Sequence, residues 1–222
     1  MNFISTLNKS GFIVQEGKTS FIDILKLCSE GKVNSALGNN VGAPYAFCFL
    51  PPAPNQEPSE GQSPPIGYNP DSPNNYPANI DYIAPGFSSK LRPDEAIVLI
   101  GKTAPPCLYY CFRSYVGFIE NKPEKDYSEY IMAGNDYTGL YHLIFASLGD
   151  QLNNYNIATD NTPRGEPGKP FNSSTIIIST ADRNVNSQVH DALYNAGYSP
   201  DIMNNDNIPI ELVNMGLEKG KD

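Results

Sequence analysis

The run Ser174 to Asn184, STIIISTADRN, limits the fold more than any other stretch: three isoleucines between hydroxyls, then a carboxylate and a guanidinium. Adjacent β-branched residues without alternation are the pattern of a strand buried on both faces. Behind them, Val185, Val189, Ala192, Leu193 and Ala196 recur at i, i+4, i+7, i+8 and i+11, one face of a helix, with Asn184, Asn186, Gln188 and Asp191 on the others. Asp182 stands where an N-cap belongs, and Gly197 where a C′ glycine ends a helix. DIMNND at 201–206 reads as a short strand, and IPIELVNMG after it as a last helical turn or two. Strand, helix and strand within about 30 residues predict a βαβ unit, hence a parallel pair with a right-handed crossover.

Residues 94–121 read as an earlier copy of that plan. EAIVLIGKT is a strand, Pro105 and Pro106 suit the first turn of a helix, and Leu108, Phe112, Tyr115 and Ile119 recur at helical spacing. A third core strand is expected at 142–147, ending in Ser147-Leu148-Gly149-Asp150, and ATDNTPRGEPGKP after it as a surface loop. The fold class is therefore α/β, Rossmann-like: a small, mostly parallel sheet with βαβ units in the C-terminal half, 94–222.

Two regions precede that core. In 1–50, Phe12 and Val14 alternate with polar or glycine neighbours before Glu16-Gly17-Lys18 and a second apolar run, a β-hairpin pattern, with a short helix over 20–28 as the rival and a further strand at 46–50. In 51–93 there are 11 prolines, and so many missing N–H donors exclude ladders and helices. Tyr68, Tyr76, Ile80, Tyr82, Ile83 and Phe87 supply anchors that a solvated tether would not need, so the second half of this proline-rich connection is expected to wrap the core. The expected organisation is one domain.

The 15 Lys and Arg against 24 Asp and Glu leave a net charge of −9 with no basic cluster, which argues against nucleic acid. The longest apolar runs fall far short of the roughly 20 residues that span a bilayer. MNFISTLNKSGFIVQEG has neither the apolar stretch nor the cleavage site of a signal peptide, whereas sequons at Asn8 and Asn172 suit secretion, so location stays open between the cytoplasm and the outside. Of four cysteines, Cys28 and Cys48 are the disulfide candidate, with two small buried hydrophobes as the plain alternative. Cys107 and Cys111, four apart on the expected helix, are poorly placed for a bridge. Only two histidines, His142 and His190, are present, which disfavours a structural metal.

In open α/β sheets ligands bind beyond the carboxyl ends of the strands, near helix N-termini with unpaired N–H groups. The expected strands end in Lys102-Thr103, in Ser147 and Asp150, in Ser179, Thr180, Asp182 and Arg183, and in Asn204, Asn205 and Asp206. Were the strands parallel neighbours, these groups would converge. Ser147, Asp150, Ser179 and Asp182 are then the catalytic candidates, and Thr103, Thr180, Arg183 and Asp206 the ligand-binding ones. Capping alone also explains Asp182, a tight turn explains Gly149, and solvation explains Arg183. Arg113 and His190 are expected on outer helix faces. The phosphate-binding loops, the Gly-x-Ser-x-Gly elbow and the His-Glu-x-x-His helix are absent from the sequence.

VLIGKTAPPCLYYCFRSYVGF, FASLGDQLNN and IIISTADRNVNSQVHDALYNAGYSPDIMNND resemble segments of a group of bacterial and eukaryotic microbial proteins, often exported, that carry no named activity. The likeness covers roughly residues 94–216. It implies a location outside the cytoplasm and a chain that continues further, and it carries over no catalytic residue. The expected function is binding of a small polar or anionic ligand at the strand-end edge, with a hydrolase or transferase as the enzyme classes such an edge would serve. The alternative is a non-catalytic extracellular or envelope interaction protein, for which the 14 tyrosines and the proline-rich connection speak.

Overall fold

A computed structural model describes residues 3–22, 24–30, 45–49, 91–92, 94–120, 141–148, 151–162, 166 and 168–209, some of the strand residues by their backbone path alone. In chain order the elements are α1 (Phe3–Lys9), β1 (Lys18–Ile22), α2 (Ile24–Ser29), β2 (Tyr45–Phe49), β3 (Ile97–Lys102), β4 (Cys111–Phe112), β5 (Tyr115–Glu120) and β6 (Tyr141–Ser147). They continue with β7 (Leu152–Asn153), β8 (Ser174–Thr180), α3 (Arg183–Asn195), a 3-10 turn (Pro200–Ile202) and β9 (Met203–Asn207). The chain divides into two compact units, one of residues 1–14, 91–117 and 145–222, the other of 15–90 and 118–144. With helices and small, partly parallel sheets, it is broadly α/β.

The first unit is built on a three-stranded sheet in the order β3-β8-β9. β8 is central, as its run of isoleucines requires, with Ile176 and Ile178 fully buried and Ile177 6% exposed. β9 pairs with it in parallel, Ile176 against Met203 through Thr180 against Asn207, and α3 lies between the two strands in sequence. β3 pairs antiparallel, Ile97 against Ser179 and Lys102 against Ser174. The sheet is thus mixed where a mostly parallel one was expected. Residues 105–119 do not form the expected helix after β3, and among the described residues no helix lies between β3 and β8 to return the chain in parallel. Instead 105–110 form an irregular loop leading to β4 and β5. Tyr109, Tyr110, Phe112, Tyr115, Val116 and Phe118 suit pleated surfaces better than a helix. Leu108, the first anchor of the imagined stripe, is 96% exposed. Tyr110 instead packs edge-on against Phe112 and Phe171, centroids 6.1 and 5.8 Å away, and donates its hydroxyl to the Pro170 carbonyl.

One face of the sheet carries the apolar core. Ile176, Ile178 and Met203 meet Val185, Val189, Ala192 and Leu193 of α3, the helical stripe read from the sequence, together with Leu7 of α1. Each of these valines, leucines, isoleucines and the methionine stabilises by about 1.5–3 kcal/mol on burial. α1, which the sequence pattern did not suggest, packs on α3, and Phe3 meets Tyr198 edge-on at 6.2 Å. Phe12 and Val14, read as hairpin residues, lie in no strand and pack against this core. α3 closes as expected: Gly197 takes φ +98°, with Gly197 N–H bonded to the Tyr194 carbonyl at 2.9 Å and Tyr198 N–H to Leu193 at 3.1 Å.

Cross-strand partners share a face, so the second face carries Thr175, Ile177 and Ser179 of β8 beside Asn204 and Asp206 of β9. The start of the segment 158–170, expected as a surface loop, is tied onto it together with Ile157. The buried Asn204 amide accepts from Ala158 N–H at 2.8 Å and donates to the Ala158 carbonyl at 3.0 Å, and Thr175 Oγ1 donates to the same carbonyl at 2.8 Å. Thr159 is wholly buried, sharing its hydroxyl with Thr162 at 2.9 Å.

β5 and β6 pair with each other, so the expected strand at 142–147 is present but lies outside the three-stranded sheet. β4 and β7 form a two-residue antiparallel ribbon. In the second unit β1 and β2 pair antiparallel, Lys18 against Phe49, and of the 20–28 helix read as the rival only the later part is helical, in α2, because 20–22 belong to β1. The proline-rich connection up to residue 90 and the segment beyond Pro209 lie outside the described residues. No helix among the described residues is long and apolar enough to cross a membrane.

Candidate functional site

At the carboxyl ends of β8 and β9, on the second face of the sheet, Ser179 and Asp206 stand side by side in register. Ser179 Oγ donates to Asp206 Oδ2 at 2.7 Å, and Ser114 Oγ, from the link between β4 and β5, donates to the same oxygen. All three side chains are partly buried. A carboxylate receiving two hydroxyls holds both in place, and charge-assisted bonds of this kind are about twice as strong as neutral ones. The chain after β6 meets the link that carries Ser114: Leu148, the residue after Ser147, is buried and donates its N–H to the Ser114 carbonyl at 3.0 Å. Ser147 is itself exposed.

The other candidates have different positions. Asp182 caps α3, its Oδ1 accepting from Asn184 N–H at 2.7 Å and Val185 N–H at 2.9 Å. Thr180 is buried, donating to the Glu95 carbonyl at 2.7 Å and accepting from Asp182 N–H at 3.3 Å. Arg183 is the exposed first residue of α3. Thr103 sits at the far end of the sheet, because β3 runs antiparallel. Its neighbour Lys102 pairs with Ser174 at the start of β8, roughly 17 Å along the strand from Ser179 at about 3.4 Å per residue. There it extends the ladder, Thr103 N–H to the Ser173 carbonyl at 2.9 Å and Ser173 N–H to Thr103 Oγ1 at 3.0 Å. Asp150 and the His142 side chain lie outside the described residues.

Asn204 and Asn205 part company, as strand alternation demands: Asn204 is buried under the 157–162 loop, while Asn205 Oδ1 meets His190 Nε2 at 2.7 Å on the helical face. His190 is therefore on the side of the sheet opposite Ser179. Arg113 is exposed and donates to Gln151 Oε1 at 2.7 Å. Cys28 is a free thiol, and the Cys48 side chain lies outside the described residues. Among the described residues, no three His, Cys, Asp or Glu side chains are grouped to hold a metal ion.

Sequence reasoning missed Ser114, because a helix over 105–119 hides it between Arg113 and Tyr115 on an outer face. The aromatic, β-branched run YYCFRSYVGF was the available sign that this segment is extended. In comparison with known protein families, curated proteins and solved structures, the chain matches none.

Proposed function

We propose that the Ser114, Asp206 and Ser179 cluster is the centre of a binding site for a small polar ligand. The observation that carries this reading is the half-buried Asp206 carboxylate, in reach of two hydroxyls at the carboxyl ends of a parallel strand pair. A carboxylate with hydroxyl neighbours offers acceptors first and adaptable hydroxyls second, which suits a ligand rich in O–H or N–H donors. An anion is the poorer fit: Asp206 repels it, and Asp182 already occupies the first N–H groups of α3. Binding is favoured over nucleophilic chemistry. A nucleophilic serine needs an adjacent base that takes its proton; among the described residues the acceptor beside Ser114 and Ser179 is the Asp206 carboxylate, a weaker base than an imidazole, and His190 faces the other side of the sheet on Asn205.

A thermal-shift screen of polyols, sugars, amino alcohols and amino acids tests the proposal, because a ligand that binds the native state raises its melting temperature. Hits are expected in these classes, with the shift lost in Asp206→Ala. A hit whose shift is unchanged in Asp206→Ala refutes the assignment of the site.

A second reading, a protein interaction surface, is favoured by a different place. Cys111 pairs with Asn153, so the loop before β4 and the turn after β7 share one end of the ribbon. That end presents Leu108, 96% exposed, Tyr109, 49%, and Tyr155, 83%. Exposed aromatic and aliphatic side chains of this kind are frequent anchors in interfaces.

A further inference from the structure

The loss of the expected helix changes what Cys107 and Cys111 can do. Both are free and exposed, and they bracket Leu108, Tyr109 and Tyr110 in an irregular loop that becomes β4 at Cys111. A helix would fix the two Cβ vectors, whereas this loop does not. Residues 105–109 are all exposed, so a backbone adjustment there disturbs no packed side chain. The fixed points lie at either side: Thr103 is buried upstream, and Tyr110 is held by Phe112, Phe171 and the Pro170 carbonyl. Cys107 already turns forward along the chain, its Sγ 3.5 Å from the Tyr109 carbonyl oxygen. A disulfide needs the two Cα atoms within roughly 4.4–6.8 Å, and with Tyr110 held, the exposed residues 105–109 are where the chain can adjust to bring Cys107 toward Cys111.

We propose that Cys107 and Cys111 form a reversible disulfide that closes the 107–111 loop when the protein meets a small-molecule disulfide such as oxidised glutathione. The Cys107 thiolate attacks the glutathione disulfide, forming one S–S bond and expelling one glutathione thiolate. The Cys111 thiolate then attacks Cys107 Sγ and expels the second. Two protein thiols are oxidised by two electrons, one glutathione disulfide is reduced to two thiols, and both protein thiol protons end on the released glutathione. Either thiolate can attack first, and both orders give the same product. A ring this short gains little from chain entropy and needs the loop to shift, so reduction reopens it readily. Closure also narrows the range of positions open to Leu108 and Tyr109 at the ribbon end.

Trypsin cleavage after Lys102 and Arg113 places both cysteines on one peptide, residues 103–113. The full chain is equilibrated in glutathione buffers from reducing to oxidising, quenched with acid, alkylated with N-ethylmaleimide and digested. With rising oxidation the doubly alkylated peptide should give way to an adduct-free peptide two hydrogens lighter than the reduced, unalkylated form, and Cys111→Ser should instead keep one glutathione on Cys107. A peptide that stays doubly alkylated, or that carries two glutathiones, in the most oxidising buffer overturns the proposal. As a readout of loop closure, chymotryptic nicking after Leu108 and Tyr109 should slow several-fold on oxidation and recover on reduction. Equal rates in the two states would overturn the closure of the loop.

Discussion

Asn204 is the residue whose replacement tests the second face of the sheet most sharply. It is 6% exposed, and its Nδ2 lies 3.0 Å from Thr175 Oγ1, 3.0 Å from the Ile176 carbonyl, 3.0 Å from that of Ala158 and 3.2 Å from that of Ile202. Two N–H protons are thus shared among four acceptors, while Oδ1 takes the Ala158 N–H at 2.8 Å. Asn204→Ala leaves that N–H without its acceptor and removes a buried amide, a loss of about 2–3 kcal/mol. Asn204→Asp keeps the volume but sets a carboxylate against three carbonyl oxygens, which costs about 3–5 kcal/mol at neutral pH because an unpaired buried charge has no compensation. The introduced carboxyl takes up a proton more readily in the fold than its ordinary value of about 3.9. The folded state then binds more protons than the unfolded one, so stability relative to the native protein recovers as pH falls through the raised value. Urea denaturation at pH 7 and near pH 4, followed by circular dichroism, measures both. If Asn204→Asp matches the native protein at pH 7, or its deficit is the same at both pH values, the account of this face is wrong.

On the helical face, Val189→Asp puts a charge beside Ile176 and Leu193 and should cost about 3–5 kcal/mol, whereas His190→Ala loses one exposed bond to Asn205 and should cost no more than about 1 kcal/mol. Equal denaturation midpoints for the two would show the helix is turned differently. Asp182→Asn should preserve the cap of α3 and Asp182→Ala should lose about 1 kcal/mol by the same assay; a large loss with Asn would point to a need for the charge itself. Burial pushes the Tyr110 phenol above its ordinary 10.0, so the fold keeps a proton that the unfolded chain releases, and native stability should fall as pH rises from about 10. Tyr110→Phe should lower stability at pH 7 by about 1 kcal/mol through the bond to Pro170 and flatten that alkaline decline; an unchanged slope contradicts the assignment.

The parts of the fold that local chemistry dictates were legible from the residues. The run of isoleucines, the Asp182 cap, the stripe from Val185 to Leu193 and the Gly197 stop appear as read, because each is settled within one turn or one strand. What failed depended on distance along the chain. At 105–119 a spacing that fits a helix coincided with residues that favour strands, and the partners that decided between them, Phe171, Pro170 and Leu152, lie 40 to 60 positions later. The direction of β3 followed from that error, and with it the misplacing of Thr103. Ser179 and Asp206 of the candidate cluster, like Ser147, were named from the sequence, since each ends an apolar or strand-forming stretch. Ser114 was hidden because it reaches Asp206 across 92 positions of sequence.

The most direct test of the binding site is a nuclear magnetic resonance titration of the isotope-labelled chain with the strongest polar hit from the thermal-shift screen, reading which backbone amides move. The site described above predicts saturable shifts centred on Ser114, Leu148, Ser179, Thr180 and Asp206, abolished in Asp206→Ala while Asp182→Asn retains them. Shifts centred instead on Leu108, Tyr109 and Tyr155, with the Ser179 and Asp206 amides unmoved, would contradict the account and place binding at the end of the β4 and β7 ribbon.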